Sequence, residues 1–531
     1  MRKEWQRKID VQGRLFWYRN SIDGRLGTAP GYVIRFRRRQ DGGENIDTQH
    51  NSTQPKLLDV VDTTSQDTSN TDVNPHDRSV DNPALDLTSV DFDLFESSQA
   101  DGAMFPHDTL HFADADALKQ SIKLAARDFP SRFSHFVVHT ALLANSSDVR
   151  LIRVTSHRDY VLEQSMNTLS CIPSSDIHLG IRVVFKGESG IDAGGLHREW
   201  LMLLNEKLIE PDVGLFRCIN RRDQTYFINP NSAVDNGTDH LVYFFGAGRM
   251  IGRALLDGAV LGFHLSVPLL KMILGTPITF DDLEFFDEEL HRNLKWLLEH
   301  EGVEELDLDF TVGKPRGLRL QDQNAGGNNY SNTLPATGIE VVDLIPGGRN
   351  VRVTDANKLL YVDRRFKYVL FESVWEQLCV FLRGFYDVIP EQLLLGFDYE
   401  ELDYLLCGTG EIDVNDWEQN TRISFNLEDN PRVLKWFWEL VREMDSESRR
   451  RLLHFSTGSS RVPLVGFKGL TSYDGRLCPF TLKGIPFVTD QYIRSHACFN
   501  MLDLPLYSTK EEMRLALHGL LDADVYGFTT V

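Results

Sequence analysis

Cysteine is scarce in this 531-residue chain, which has six in all: Cys171, Cys218, Cys379, Cys407, Cys478 and Cys498. They form no Cys-x-x-Cys pair and no regular framework, which excludes a disulfide scaffold and a finger-type zinc site and fits a reducing compartment. Long apolar runs are missing as well. No stretch of about 18 apolar residues occurs, so no membrane-spanning segment is expected, and the opening "MRKEWQRKID" lacks the apolar core of a signal peptide. Basic charge is in deficit: 56 Lys and Arg stand against 77 Asp and Glu, a net charge of −21. That balance argues against nucleic acid or an anionic membrane as the main partner, because both reward clustered Lys and Arg. The chain reads as soluble and cytoplasmic.

Nucleotide and metal signatures are also wanting. "FKGESGIDAGGLHREW" (185–200) is glycine-rich, yet it has neither Gly-x-x-x-x-Gly-Lys-Ser/Thr nor Gly-x-Gly-x-x-Gly spacing. Gly194 and Gly195 read instead as a tight turn and a close helix approach. "LHREW" and "LHRNL" each carry one histidine, His197 and His291, with no second ligand four residues on. His264, His291 and His454 sit among apolar residues and read as structural. No cofactor and no metal are expected.

What is present divides into three textures. Residues 1–39 are basic and aromatic, with a strand-like "RLFWYRN". Residues 40–125 are rich in Asp, Ser, Thr, Asn and Gly and read as a disordered acidic linker, too poor in apolar surface to offset the entropy of ordering. From about residue 130 apolar periodicity runs to the end, interrupted at 321–338 by what reads as a flexible surface insertion. "PRVLKWFWELVREM" predicts a helix with Asn430 as N-cap, Pro431 at the first position and a stripe of Leu434, Phe437, Val441 and Met444. A helix is expected over 281–300, and strands at "IRVVF" (181–185) and "IPFVT" (485–489). The class is mixed with an excess of helix, α+β. Asp413 and Asp416 are close enough for acid–base work, but before Trp417 they suit a helix N-terminus better. Gly408-Thr409-Gly410 is a natural hinge between two packed bodies.

Cys498 stands out. A free cysteine is most often a small buried hydrophobe. Here Arg494 and His496 lie within four residues, and a cation or imidazole favours the reactive thiolate. In an extended segment, 496 and 498 would point to one face. Asn500 and Asp503 add polar groups, and Pro505 ends any strand. Burial and reactivity both stay open on these residues, and no hydrolase triad is identifiable.

"RSHACFNMLDLPLYSTKEEMRLAL" resembles the active-site segment of HECT-domain ubiquitin-protein ligases. "FKGESGIDAGGLHREW", "INPNS", "GTPITFDDLEFFDEELHRNLKWLLE", "IPGGRNVRVTDANKLLYV", "GEIDVNDW", "WFWEL" and "FSTGSSRVPLVGF" resemble further landmarks of that family, in its order, over about residues 150–531. The nearest likeness is to the WW-domain-bearing subgroup (Nedd-type, Smurf-type). Trp5, Gly13, Arg14, Phe16, Trp17 and Pro30 fall at WW spacing, but Gly27 stands where the second Trp of the groove would be. Residues 1–39 are therefore a degenerate WW-like segment with one wall of a proline-rich-ligand groove; an accidental match is the alternative.

The resemblance implies a bilobed catalytic domain. Its larger, mostly helical N-lobe would span 150–407 and dock the ubiquitin-conjugating enzyme through the 279–300 region. A hinge at Gly408 to Gly410 would lead to a smaller α/β C-lobe, 411–531. It implies a catalytic Cys498 that accepts ubiquitin as a thioester and passes it to substrate lysines, with His496 as a local polariser and Phe528 needed for ligation. The implied partners are a conjugating enzyme, ubiquitin and protein substrates, proline-rich ones among them. Two departures matter: Ala497 replaces the usual Thr before the cysteine, and Val531 leaves only a terminal carboxylate where relatives end in an acidic side chain. Ala497 and the degenerate N-terminal segment motivate the alternative of a non-catalytic scaffold that keeps the fold. A cysteine hydrolase is disfavoured because no acid that orients His496 can be named.

Overall fold

The computed structural model describes residues 5–9, 15–19, 31–36, 92–96, 106–107 and 120–522, the last with breaks at 121–122, 145–149, 189–194, 222, 316–338, 460, 464–465, 472–476 and 488–491. Apolar residues collect in two large cores. One runs from Tyr32 to Cys407 and the other from Val414 to Leu521.

The first core is built on two helices, His240–Asp257 and Trp375–Val388, whose backbones nearly touch. A Cβ added to Gly248 would lie 2.1 Å from the Phe381 carbonyl oxygen, and one on Gly384 would lie 2.2 Å from that of Phe245. Only glycine permits this approach. Around the pair stand helices Val161–Cys171 and Gly195–Leu208 and the parallel strands Leu151–Ser156 and Gly180–Phe185. Strands Phe216–Asn220, Thr225–Ile228 and His264–Leu265 form a small mixed sheet. Helix Phe129–Ala144 is tied down by the buried Arg132, which forks onto Glu401 with both contacts at 2.6 Å. The helix expected over 281–300 is interrupted: a 3-10 turn, Phe280–Phe285, precedes helix Glu288–Glu299. Asp287 restarts it, its carboxylate accepting the Leu290 N–H at 2.9 Å.

The N-terminal strands do not make a self-contained WW-like unit. Trp5–Ile9 pairs with Leu15–Arg19, which continues onto Pro106–His107, whereas Tyr32–Phe36 pairs with Phe92–Glu96. Tyr32 also bridges to Ile278, its hydroxyl donates to Asp363 at 2.6 Å, and it joins the first core together with Ile34 and Phe92. Apolar burial decides this pairing: Phe92 is buried in the first core and Leu94 packs against it. Residues 92–96 and 106–107 are therefore strands within the expected disordered linker; the rest of 40–119 lies outside the described residues, as does the expected insertion 321–338.

The second core surrounds a four-stranded sheet. Thr481–Ile485 runs parallel to Arg422–Ile423 on one side and to Met501–Pro505 on the other, and Arg494–His496 lies antiparallel at the edge. The strand expected at 485–489 thus sits four residues earlier. Helix Pro431–Glu443 has Asn430 and Pro431 where expected, but it buries Val433, Phe437, Trp438, Leu440 and Val441, with Leu434 and Met444 only at the margin. Asp413 caps helix Val414–Gln419 by accepting the Asn415 N–H at 2.8 Å, and Asp416 accepts the Phe467 N–H at 2.8 Å.

Between the cores, Gly408 adopts φ +62°, and a Cβ there would meet the Val462 carbonyl oxygen at 2.4 Å. Its N–H also donates to the Tyr404 carbonyl, so proline at 408 would break a helix end rather than merely stiffen it. Thr409 and Val462 exchange backbone hydrogen bonds beside it. Across the same junction Arg461 donates to His264 Nε2 at 2.9 Å, and His454 Nε2 lies 3.2 Å from Met202 Sδ.

Burial lowers the pKa of His454 and, in the first core, of His240. Each is neutral when folded and gains a proton more readily when unfolded. Stability is then fully present above the ordinary histidine value, about 6.5, and is lost as pH falls through it toward the lower folded-state value. We expect Tm to drop between about pH 7 and pH 5 and the drop to shrink in His454→Gln; an unchanged pH profile in that variant would contradict the assignment.

Candidate active site

Strand Arg494–His496 leads into a 3-10 turn, Ala497–Phe499, and Asn500 then reverses the chain into strand Met501–Pro505. Asn500 makes the reversal possible: it sits at φ +49°, a left-handed conformation that asparagine tolerates better than most residues. Asn500 is fully buried, and every polar atom of its side chain is used. Nδ2 donates to the carbonyls of Thr471 (3.1 Å) and Cys478 (2.7 Å), while Oδ1 accepts from Arg198 at 2.8 Å. The asparagine N–H closes the turn on the Ala497 carbonyl at 3.2 Å. Cys498 is the middle residue of this turn, so the extended geometry expected to align it with His496 is absent: the strand stops at His496. The side chain of Cys498 lies outside the described residues.

His496 is partly exposed, and its Nε2 lies 3.1 Å from Asp503 Oδ2. The sequence had offered no acid for this histidine; the hairpin supplies one. Arg494 pairs with Asp503 and His496 with Met501, so His496 and Asp503 are diagonal neighbours on one face. That proximity depends on the register and is invisible without it. The Asp503 side chain is 10 % exposed, and its Oδ1 accepts no hydrogen bond among the described residues, with Lys483 Nζ at 3.9 Å. Buried carboxylate oxygens are rarely left so, and the exceptions are often chemical in role. The Cys478 thiol donates to the Phe499 carbonyl at 3.2 Å, and the Ser495 hydroxyl donates to Phe455. The turn is thus held by contacts with Thr471, Cys478 and helix Ser446–Thr457.

The turn faces the first core. Arg198 of helix Gly195–Leu208 reaches it across a cleft of about 270 Å³ between the two bodies. A larger groove, about 1230 Å³, opens between the hairpin 216–228 and residues 284–288, but no residue of the turn lines it.

His264, Asp403 and Cys407 converge within 4.8 Å, a grouping that sequence spacing does not reveal. Each is already committed. His264 Nδ1 donates to Asp403 at 2.8 Å, Nε2 accepts from Arg461, and the Cys407 thiol donates to the Phe263 carbonyl at 3.1 Å. Burial, then Asp403, push the Cys407 pKa well above the ordinary thiol value, opposite to what a metal ligand or nucleophile needs. Phe528 and Val531 lie outside the described residues. Among the described residues no helix is long and apolar enough to cross a membrane.

Residues 202–530 match the HECT family, described as HECT-domain (ubiquitin-transferase). Two similar proteins, both from Arabidopsis thaliana, are E3 ubiquitin-protein ligase UPL1, 38% identical over 373 residues, and E3 ubiquitin-protein ligase UPL2, 37% identical over 373 residues. Each alignment takes in 69% of this chain and 10% of the relative, so the chain spans about a tenth of the length of these relatives. Neither name carries the WW-bearing subgroup to which the N-terminal spacing was likened.

Proposed function

Because this chain belongs to the HECT-domain (ubiquitin-transferase) family, we propose that it is a ubiquitin-protein ligase. In this reading Cys498 accepts ubiquitin from a conjugating enzyme and passes it to a substrate lysine. The observation that carries the proposal is the turn itself. A buried asparagine closes the turn that contains residue 498, and the two strands flanking that turn bring His496 and Asp503 together.

The Cys498 thiolate attacks the carbonyl carbon of the conjugating enzyme's thioester, and the departing thiolate is that of the conjugating enzyme. One thioester replaces another, so the exchange is nearly balanced in energy. A lysine amine then attacks the new thioester; an isopeptide bond forms, the amine loses a proton and Cys498 leaves as thiolate. In this reading the His496–Asp503 pair takes up that proton, with Asp503 fixing the ring.

The bodies with cores over Tyr32–Cys407 and Val414–Leu521 serve as the N-lobe and the C-lobe, and Gly408 to Gly410 as the hinge between them. The 279–300 region receives the conjugating enzyme. Proline-rich substrates are not part of the proposal, because the strands of 1–39 pair outside that segment, with Pro106–His107 and Phe92–Glu96. A scaffold without activity is the remaining reading.

Incubation with activating enzyme, conjugating enzymes, ATP and ubiquitin separates these readings on a non-reducing gel. A ubiquitin adduct destroyed by thiols supports transfer. No adduct with any of a broad set of conjugating enzymes supports the scaffold, and loss of preformed ubiquitin chains supports hydrolysis. Following the resemblance, Phe528→Ala keeps the adduct but stalls ligation to lysine; equal ligation by variant and wild type would remove Phe528 from the mechanism.

A further inference from the structure

Arg198 spans the two bodies beside the Cys498 turn. Its Nη1 donates to the Asn500 side-chain oxygen (2.8 Å), the Thr457 carbonyl (3.1 Å) and the Ala497 carbonyl (3.2 Å). All three acceptors belong to the smaller body, and the arginine belongs to the larger. Thr457 is the last residue of helix Ser446–Thr457, where the aligned peptide dipoles gather negative charge and favour a cation. Ala497 is the residue immediately before Cys498. Asn500 is the buried hub that sets the turn's shape. One guanidinium nitrogen therefore reads the position of a helix end and both ends of the cysteine turn at once.

These contacts are not needed to hold either core together. Each body has its own apolar cluster, and the Arg198 contacts exist only while the two are docked. Rotation about Gly408 would break all three together. Among the described residues, no residue of the turn lines the groove at 284–288, whereas Asn500 lines the cleft beside Arg198, and in the proposal below this docked orientation belongs to the step after loading.

We propose that Arg198 is a positioning residue that clamps the Cys498 turn onto the larger body for discharge of ubiquitin to lysine. This rests on the reading of Cys498 as the thioester carrier. The clamp acts through the backbone of residue 497 and through Asn500, and it touches no reacting atom. Its engagement selects one lobe orientation from those the hinge allows.

The test compares wild type, Arg198→Ala and Arg198→Lys in two single-turnover measurements: loading from a charged conjugating enzyme, and discharge of the preformed adduct to free lysine. The expected result is a fall of about 10-fold in the ratio of discharge to loading for Arg198→Ala, as for loss of a charged hydrogen-bond donor. Arg198→Lys, which keeps the charge, should recover part of it. Hydrogen exchange of the 494–503 segment in the chain without ubiquitin provides a second readout, and faster exchange is expected in Arg198→Ala. An unchanged ratio with unchanged exchange overturns the clamp, and so does an equal fall in both half-reactions, which would mark a general structural role. If wild type forms no adduct, the ligase reading fails, and the exchange comparison still decides whether the clamp exists.

Discussion

Cys498→Ala is expected to form no thiol-sensitive ubiquitin adduct and to ligate nothing, a loss limited only by assay background. The expectation follows from the chemistry of the residue type. Transfer needs a nucleophile that is partly ionised near neutral pH and that makes an acyl derivative reactive enough for an amine to attack. Cys498→Ser separates these needs. A serine hydroxyl is a poorer nucleophile, and its oxygen ester is a poorer acyl donor, so any adduct should form slowly, resist thiols and persist without discharging. Among the other cysteines, Cys407 is held protonated by burial, and Cys478 spends its thiol hydrogen on Phe499. Neither is placed to rescue the variant. Full activity in Cys498→Ala would remove the nucleophile from the account.

Asp503→Asn is expected to slow discharge to lysine by about 100-fold, the scale of a lost acid–base function, while the turn keeps its shape. The substitution preserves volume and leaves the ladder between 494–496 and 501–503 in place. What it removes is charge: neither Oδ2, beside the His496 ring, nor the buried Oδ1 offers an anionic acceptor any longer. His496→Ala should slow discharge less, because the carboxylate remains beside the turn. Similar rates for Asp503→Asn and wild type, with Tm unchanged, would reduce the pair to a structural contact.

Local chemistry explains what the sequence revealed. The helix at 431–443, the strand at 180–185 and the Asp413 cap depend on residues within a few positions of one another, and each lies where its pattern put it. Arg494, His496, Asn500 and Asp503 lie within a few positions of Cys498, so the polar residues around the turn were legible for the same reason. The misses share a different cause. Phe92 joins Tyr32–Phe36 because burial of one aromatic outweighs the polar character of its neighbours. Asp287 splits the 281–300 helix because a single cap competes with an otherwise continuous stripe. His496 and Asp503 meet through hairpin register, and Arg198 meets Ala497 across 299 residues of sequence. No periodicity records such meetings. The strand pairing of 1–39 shows the opposite hazard, a familiar aromatic spacing whose third strand is claimed by another part of the chain.

The most direct test of the central claim is peptide mapping of the ubiquitin adduct trapped from the wild-type chain without reduction. The account predicts that the ubiquitin carboxyl terminus is carried by the peptide containing Cys498, through a bond cleaved by hydroxylamine or thiols. Ubiquitin found on another cysteine, or only on lysines with no thiol-sensitive fraction at any time point, would contradict it.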